Sequence, residues 1–314
     1  MDNIDDVVFE SGEEFGVVLG TGFRVFRKML LPMLPLIVLV AVPLAIVCEL
    51  LPYDSWEQAM HMPLKQAEKF ESSIANMLQS LFMVFITLPG MVAASRVLRG
   101  RSFNCWEALG AGLRRFLPAL WTGVLVSLAF VGLIFFFMLP LIVGSAMGHG
   151  EGNPLNTVYV RGLLMFLAFL ALAFGLYLII RLGVRWAFVM VAVVVGGRCG
   201  KEAIRESATL VPRGRILATL GVQIVAGLVS AVITVPGVIV AAIGVITCGS
   251  SPTLTAAFQS VMYILSFVGT MYTLANTVVF YHYRRQTLMR PASDADAANA
   301  EGAESEEIGE STPQ

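Results

Sequence analysis

Arg181 and Arg185 stand one helical turn apart, and beyond an apolar run over 186–195 a second polar cluster follows: Glu202, Arg205, Glu206, Ser207, Arg213 and Arg215. Guanidinium groups at this density pair with carboxylates or bind phosphate oxygens through paired N–H donors. Glu202 and Glu206 share a helical face, so the spacing predicts that Arg181 and Arg185 reach them. A paired cation costs less at membrane depth than a bare one. These residues form the candidate structural or lipid-headgroup cluster. A second set comprises uncharged amides inside long apolar runs: Asn76, Gln79, Gln223, Gln259 and Asn276. Such amides hydrogen-bond between helices by default. Converging on one cavity, they would instead line a path for a solute.

Other chemistry is not supported by the residue pattern. His61, His149 and His282 are scattered, and none is paired at a metal-ligand spacing. The four cysteines form no C-x-x-C. Cys105 and Cys199 are expected in the reducing cytoplasm, whereas Cys48 and Cys248 fall near the outer ends of their runs, where a disulfide is chemically allowed. Gly20-x-Gly22 and Gly110-x-Gly112 follow no strand and lack the third glycine of a nucleotide fingerprint, so close helix or headgroup approach is their expected use. Deep inside the apolar runs there is essentially no ionisable residue, Glu49 sitting at a run's end, which argues against a proton-coupled pump. No catalytic set, metal, cofactor or nucleic-acid partner is expected.

The elements that must position these residues follow from composition. Of 314 residues, 57% are hydrophobic and 14% charged, against about 25% charged in an ordinary soluble domain. A water-soluble fold would lack the polar surface to cover such a core. Six runs, 29–51, 74–97, 117–147, 163–180, 216–247 and 256–281, have the length of roughly 20 apolar residues that a membrane-crossing helix needs. The run at 29–51 follows an acidic segment, is too long for a signal peptide and lacks a cleavage site. The ten residues over 186–195 are too few to cross, and are expected to be re-entrant, interfacial or covered by protein. Pro89-Gly90 and Pro236-Gly237 lie within runs and are expected to kink them.

The net charge of −1 is a cancellation. Residues 1–28 carry −3, residues 29–290 carry +9, and residues 291–314 carry −7. Eighteen of the 21 Lys and Arg residues lie on one side of the implied topology, and only Lys65, Lys69 and Arg161 on the other. The positive-inside rule then places both termini in the cytoplasm. Three divisions result: an acidic N-terminal segment with an amphipathic helix over 1–28, a six-span membrane domain over 29–283, and an acidic disordered cytoplasmic tail over 284–314.

An internal pattern precedes the odd-numbered spans. Leu19-Gly20-Thr21-Gly22-Phe23-Arg24-Val25-Phe26 matches Leu109-Gly110-Ala111-Gly112-Leu113-Arg114-Arg115-Phe116, and Glu202-Ala203-Ile204 matches the Glu107-Ala108-Leu109 start of the second copy. The unit reads as an amphipathic helix followed by a two-span hairpin, suggesting a threefold internal repeat. Phe103, Trp106, Leu109, Leu113 and Phe116 recur at helical spacing, as do Ile204, Ala208 and Val211. Ser11-x-x-Glu14 has a capping-box spacing. These helices are expected in the cytoplasmic interface, with basic side chains reaching headgroups.

Glu202-Ala203-Ile204-Arg205-x-Ser207-x-x-Leu210, followed by Arg213-Gly214-Arg215 and a span, resembles the E-A-L-R-x-S-x-x-L…R-G-R signature of the bacterial glycerophosphoryl diester phosphodiesterase membrane-domain family and the related YciC-like membrane proteins. Members often have a proline within the preceding apolar run and an acid before the glycine; here the run is unbroken and ends at Gly196-Gly197. The resemblance implies a six-span fold in a bacterial plasma membrane. A phosphodiesterase barrel would need about 250 further residues, so the resemblance concerns the membrane part alone. The expectation is an all-α polytopic membrane bundle with cytoplasmic interfacial helices. Its expected role is that of a non-enzymatic scaffold or lipid-interacting component, with anionic inner-leaflet lipids and other membrane proteins as partners. The alternative is a transporter or exporter of a lipid-like or small solute through a groove between repeats.

Overall fold

The computed structural model describes residues 14–50, 64–147, 158–248 and 251–289, and every regular element among them is helical. In chain order these are α1 (Glu14–Leu50), α2 (Leu64–Leu98), α3 (Cys105–Arg114), α4 (Phe116–Met147), α5 (Val158–Arg185), α6 (Val189–Val194), α7 (Lys201–Leu210), α8 (Ile216–Cys248) and α9 (Pro252–Met289), with a 3-10 turn at Arg213–Arg215 before α8. Six helices are long and apolar enough to cross a membrane. The chain is a polytopic, all-α integral membrane protein.

The helix at the centre is the last one. α9 packs along α1, α8 and α2, and Phe267, Met271, Ala275, Val278, Phe280 and Tyr281 on it are enclosed by protein. Lipid tails compete with apolar side chains for contact, so such helices associate through close packing and small residues rather than through exclusion of water. The crossings show this. A Cβ on Gly22 of α1 would collide with the Asn276 side chain of α9, and one on Gly237 of α8 would come within 2.9 Å of the Met262 backbone. Phe26 meets Tyr272 edge to face, with ring centroids 5.5 Å apart. α1 runs unbroken through Pro32, Pro35 and Pro43, α2 through Pro89, and α8 through Pro236.

α4 and α5 form a hairpin beside this core. Phe137 of α4 lies against Gly175 of α5 and 6.1 Å from the Phe174 ring. Elsewhere the pair presents large apolar side chains outward, among them Phe135, Phe136, Phe166 and Phe169. In α4 only 6% of the span is buried by protein, against 50% in α2.

The segment following α5 adopts the protein-covered alternative. The chain turns at 186–188, and Val189–Val194 forms a short helix of which Met190 alone is exposed. Gly197 then takes φ +70, a left-handed conformation that a side chain would disfavour. The Arg115 guanidinium lies 3.4 Å from where its Cβ would stand.

The repeated units differ. In the first, no separate helix precedes the span: α1 begins at Glu14 and continues straight into the apolar run. The other two have a short helix followed by a break, at Arg115 and over 211–215. Ser11 of the capping box, His61, His149, the acidic segment 1–13 and the tail from 290 lie outside the described residues. So does the Cys248 side chain, and with it the pairing with Cys48.

Candidate functional site

Many of the arginines lie near the ends of helices and in the turns that join them. α2 stops at Leu98, and Arg96 reaches forward to Glu107 of α3 at 2.8 Å. Asn104 caps α3 by accepting the Trp106 N–H, while Glu107 in its first turn and Arg114 in its last oppose the helix dipole favourably. α3 lies on α2 through Cys105, Ala108 and Gly112, the last so close that a Cβ would stand 2.8 Å from the Pro89 nitrogen. The apolar face expected from spacing is therefore split. Phe103, Leu109 and Phe116 lean on the core, whereas Trp106 and Leu113 point outward. Small residues make the approach to protein and bulky ones face the surroundings. In α7 the enclosed residues are Ala203, Ser207 and Leu210, with Val211 beyond the helix end; Ile204 and Ala208 are half-buried.

The candidate cluster assembles around α7, with a pairing that spacing did not predict. Glu206 accepts a 2.6 Å hydrogen bond from the Tyr281 hydroxyl of α9. Its carboxylate also faces Arg198 Nε at 3.6 Å and Arg285 Nε at 3.9 Å. Glu202, more exposed, faces Arg198 at 3.7 Å. Neither acid pairs with Arg181 or Arg185, and this corrects the expectation. The reason is geometric: the turn at 186–188 and the short α6 place Arg185 beside the C-terminal part of α7, so its guanidinium reaches the Ala208 carbonyl at 3.4 Å instead. Arg181, a turn earlier in α5, makes no ion pair among the described residues.

Ser207 has a structural task. Its hydroxyl donates to the Arg185 carbonyl at 2.8 Å and accepts the Phe188 N–H at 3.2 Å. Both backbone groups are freed where α5 ends, and a buried unpaired one costs about 1–3 kcal/mol. One serine on α7 thus closes the break between α5 and α6. Across the molecule, Thr122 of α4 accepts the Gly200 N–H at 2.9 Å, which fixes the start of α7.

Arg198, Arg205 and Arg285, together with Glu202 and Glu206, line an open cleft of about 530 Å³ whose apolar wall is Leu210 and Leu288. Arg205 is exposed, as is Arg215; the Arg213 side chain lies outside the described residues. Three guanidinium groups against two carboxylates leave a net positive cleft bordered by leucine. Tyr281 and Arg285 were missed from the sequence because they lie on another helix, Tyr281 75 positions from Glu206, and helical spacing reports neighbours only within one helix; Arg198 was missed because it stands in the turn before α7.

The five intramembrane amides have different surroundings. Gln223 donates to Thr277 at 3.4 Å, joining α8 to α9. Asn276 is enclosed, donates to the Tyr272 carbonyl at 2.9 Å and rests on Gly22. Asn76 is exposed, and Gln79 and Gln259 are half-buried. None of the five lines the cleft at α7 or the apolar groove between α2 and α4. Comparison with protein-family models, with curated proteins and with solved structures found no match to this chain.

Proposed function

We propose that the chain is a non-enzymatic component of a bacterial plasma membrane, with both termini cytoplasmic, acting as a scaffold that engages anionic inner-leaflet lipid and neighbouring membrane proteins. The observation that carries this reading is the cleft at α7, where Arg198, Arg205 and Arg285 meet Leu210 and Leu288. Guanidinium groups bind phosphate oxygens, and the leucines suit the first methylenes of a lipid. Basic residues held near an anionic leaflet each contribute about 1 kcal/mol of attraction. The outward Trp106 and Trp121 suit the headgroup level, where amphipathic rings collect. The one-sided distribution of Lys and Arg supports the orientation. Transport is the weaker reading, because Gln223 and Asn276 are engaged in helix packing rather than in a shared passage.

The test is the thermal stability of the full chain in detergent with added dioleoylphosphatidylglycerol or dioleoylphosphatidylcholine. A lipid that binds only the folded state raises Tm. The anionic lipid is expected to raise it more, and Arg205→Glu to remove most of that difference. Equal stabilisation by both lipids in the natural chain contradicts the reading.

A further inference from the structure

A second cavity lies away from the α7 cleft, at the seam between the core and the hairpin. It is an apolar groove of about 460 Å³ between α2 (Met83, Thr87) and α4 (Phe116, Gly123, Ser127), with Met190 of α6 also lining it. Met190 is the one exposed residue of α6, and its methyl group lies 3.4 Å from where a Cβ on Gly123 would stand. Thr87 donates its hydroxyl back to the Met83 carbonyl at 2.7 Å, so that wall offers little to a polar guest.

Length and width narrow the occupant. From Phe116 to Val131 the lining of α4 covers about 22 Å at 1.5 Å per residue, somewhat more than the roughly 15 Å of one hydrocarbon leaflet. A volume of 460 Å³ open to the centre of a water-sized sphere over that length corresponds to a groove about 8 Å across between its walls, twice the roughly 4 Å at which atoms sit in contact. One polymethylene chain fits. A helix, about 10–12 Å across with its side chains, is wider than this groove. Charge selects the head. Arg114 and Arg115 immediately precede Phe116 at the basic end of the groove; both are exposed, and neither forms an ion pair among the described residues. We propose that this groove holds one acyl chain of a phospholipid whose anionic head lies at Arg114 and Arg115.

The inference rests on the lipid-engaging reading above but uses none of the α7 residues, so the two can fail separately. The full chain, purified in detergent and supplied with dioleoylphosphatidylglycerol, is examined by native mass spectrometry. With Arg205→Glu present throughout to remove the α7 contribution, we expect one lipid per chain to survive delipidation, and Ser127→Phe, which fills the groove, to lower its occupancy at least tenfold. Arg114→Glu combined with Arg115→Glu is expected to abolish the preference for dioleoylphosphatidylglycerol over dioleoylphosphatidylcholine. Equal retention with and without Ser127→Phe would mean annular lipid only, and would overturn the proposal. A measurement on the otherwise natural chain covers the case in which Ser127→Phe does not fold. A benzophenone side chain in place of Leu120, on the groove, is expected to capture lipid after delipidation, and one in place of Leu217, 81% exposed, to capture none. Capture of protein, whether another copy or residues 51–63, overturns the assignment of the occupant.

Discussion

α9 and α4 are both long enough to cross a membrane, yet they have opposite surroundings. The α9 span is 39% buried by protein and is the least apolar of the six; the α4 span is 6% buried and among the more apolar. In water the apolar element would be the one enclosed. In a membrane the lipid accepts apolar side chains as well as protein does, so large hydrocarbon and aromatic groups carry no instruction to pack. Small and polar residues do. Thr273, Asn276, Thr277 and Tyr281 on α9 each have hydrogen bonds to make, and Gly22, Gly237 and Gly269 let backbones approach.

That contrast can be broken most severely at a crossing. Gly22→Leu drives a side chain into Asn276, where overpacking costs about 3 kcal/mol or more; the expected result is a large fall in Tm or loss of folded protein. Gly132→Leu on α4 has nothing within 4 Å to meet, and is expected to leave stability within about 0.5 kcal/mol of the natural chain. The same substitution therefore separates the two regions.

Smaller changes probe how the basic end is joined to the core. Ser207→Ala leaves the Phe188 N–H and the Arg185 carbonyl without their partner, and is expected to destabilise by about 2 kcal/mol, read as a shift in the denaturation midpoint. Tyr281→Phe removes a half-buried hydrogen bond to the Glu206 carboxylate at the edge of the α7 cleft, with an expected loss of about 1.5 kcal/mol. Arg96→Ala, by contrast, breaks an ion pair whose side chains are 34% and 63% exposed. Screening by solvent holds its expected effect to about 0.5 kcal/mol or less. A larger loss at Arg96 than at Tyr281 would invert the ranking.

Much of the architecture was legible because it depends on length and composition. Six apolar runs, their basic flanks and the short run over 186–195 all follow from counting. The spans themselves are longer than the runs, since α1 starts at Glu14 and α9 continues to Met289, where helices extend beyond their apolar stretches. Partner choice was less legible. Glu206 was singled out with Arg205 and Ser207, but its contacts come from Tyr281 and Arg285 on a helix that returns after two spans, and from Arg198 in a turn. Local periodicity carries no record of that return. Low apolarity alone would not have marked the last span as central, since α1, the most apolar of the six, is buried by protein to the same 39%; the better signal is the polar groups on α9, which in a membrane seek protein.

The most direct test is a nitroxide scan along α4 and α9 in lipid nanodiscs, reading collision with oxygen at Leu128, Val131, Phe135 and Phe136 and at Phe267, Met271, Ala275 and Val278. High oxygen accessibility is predicted at the four α4 positions and strong protection at the four on α9. Protection of α4 comparable to that of α9 would mean that protein, not lipid, covers the hairpin, and would contradict the account.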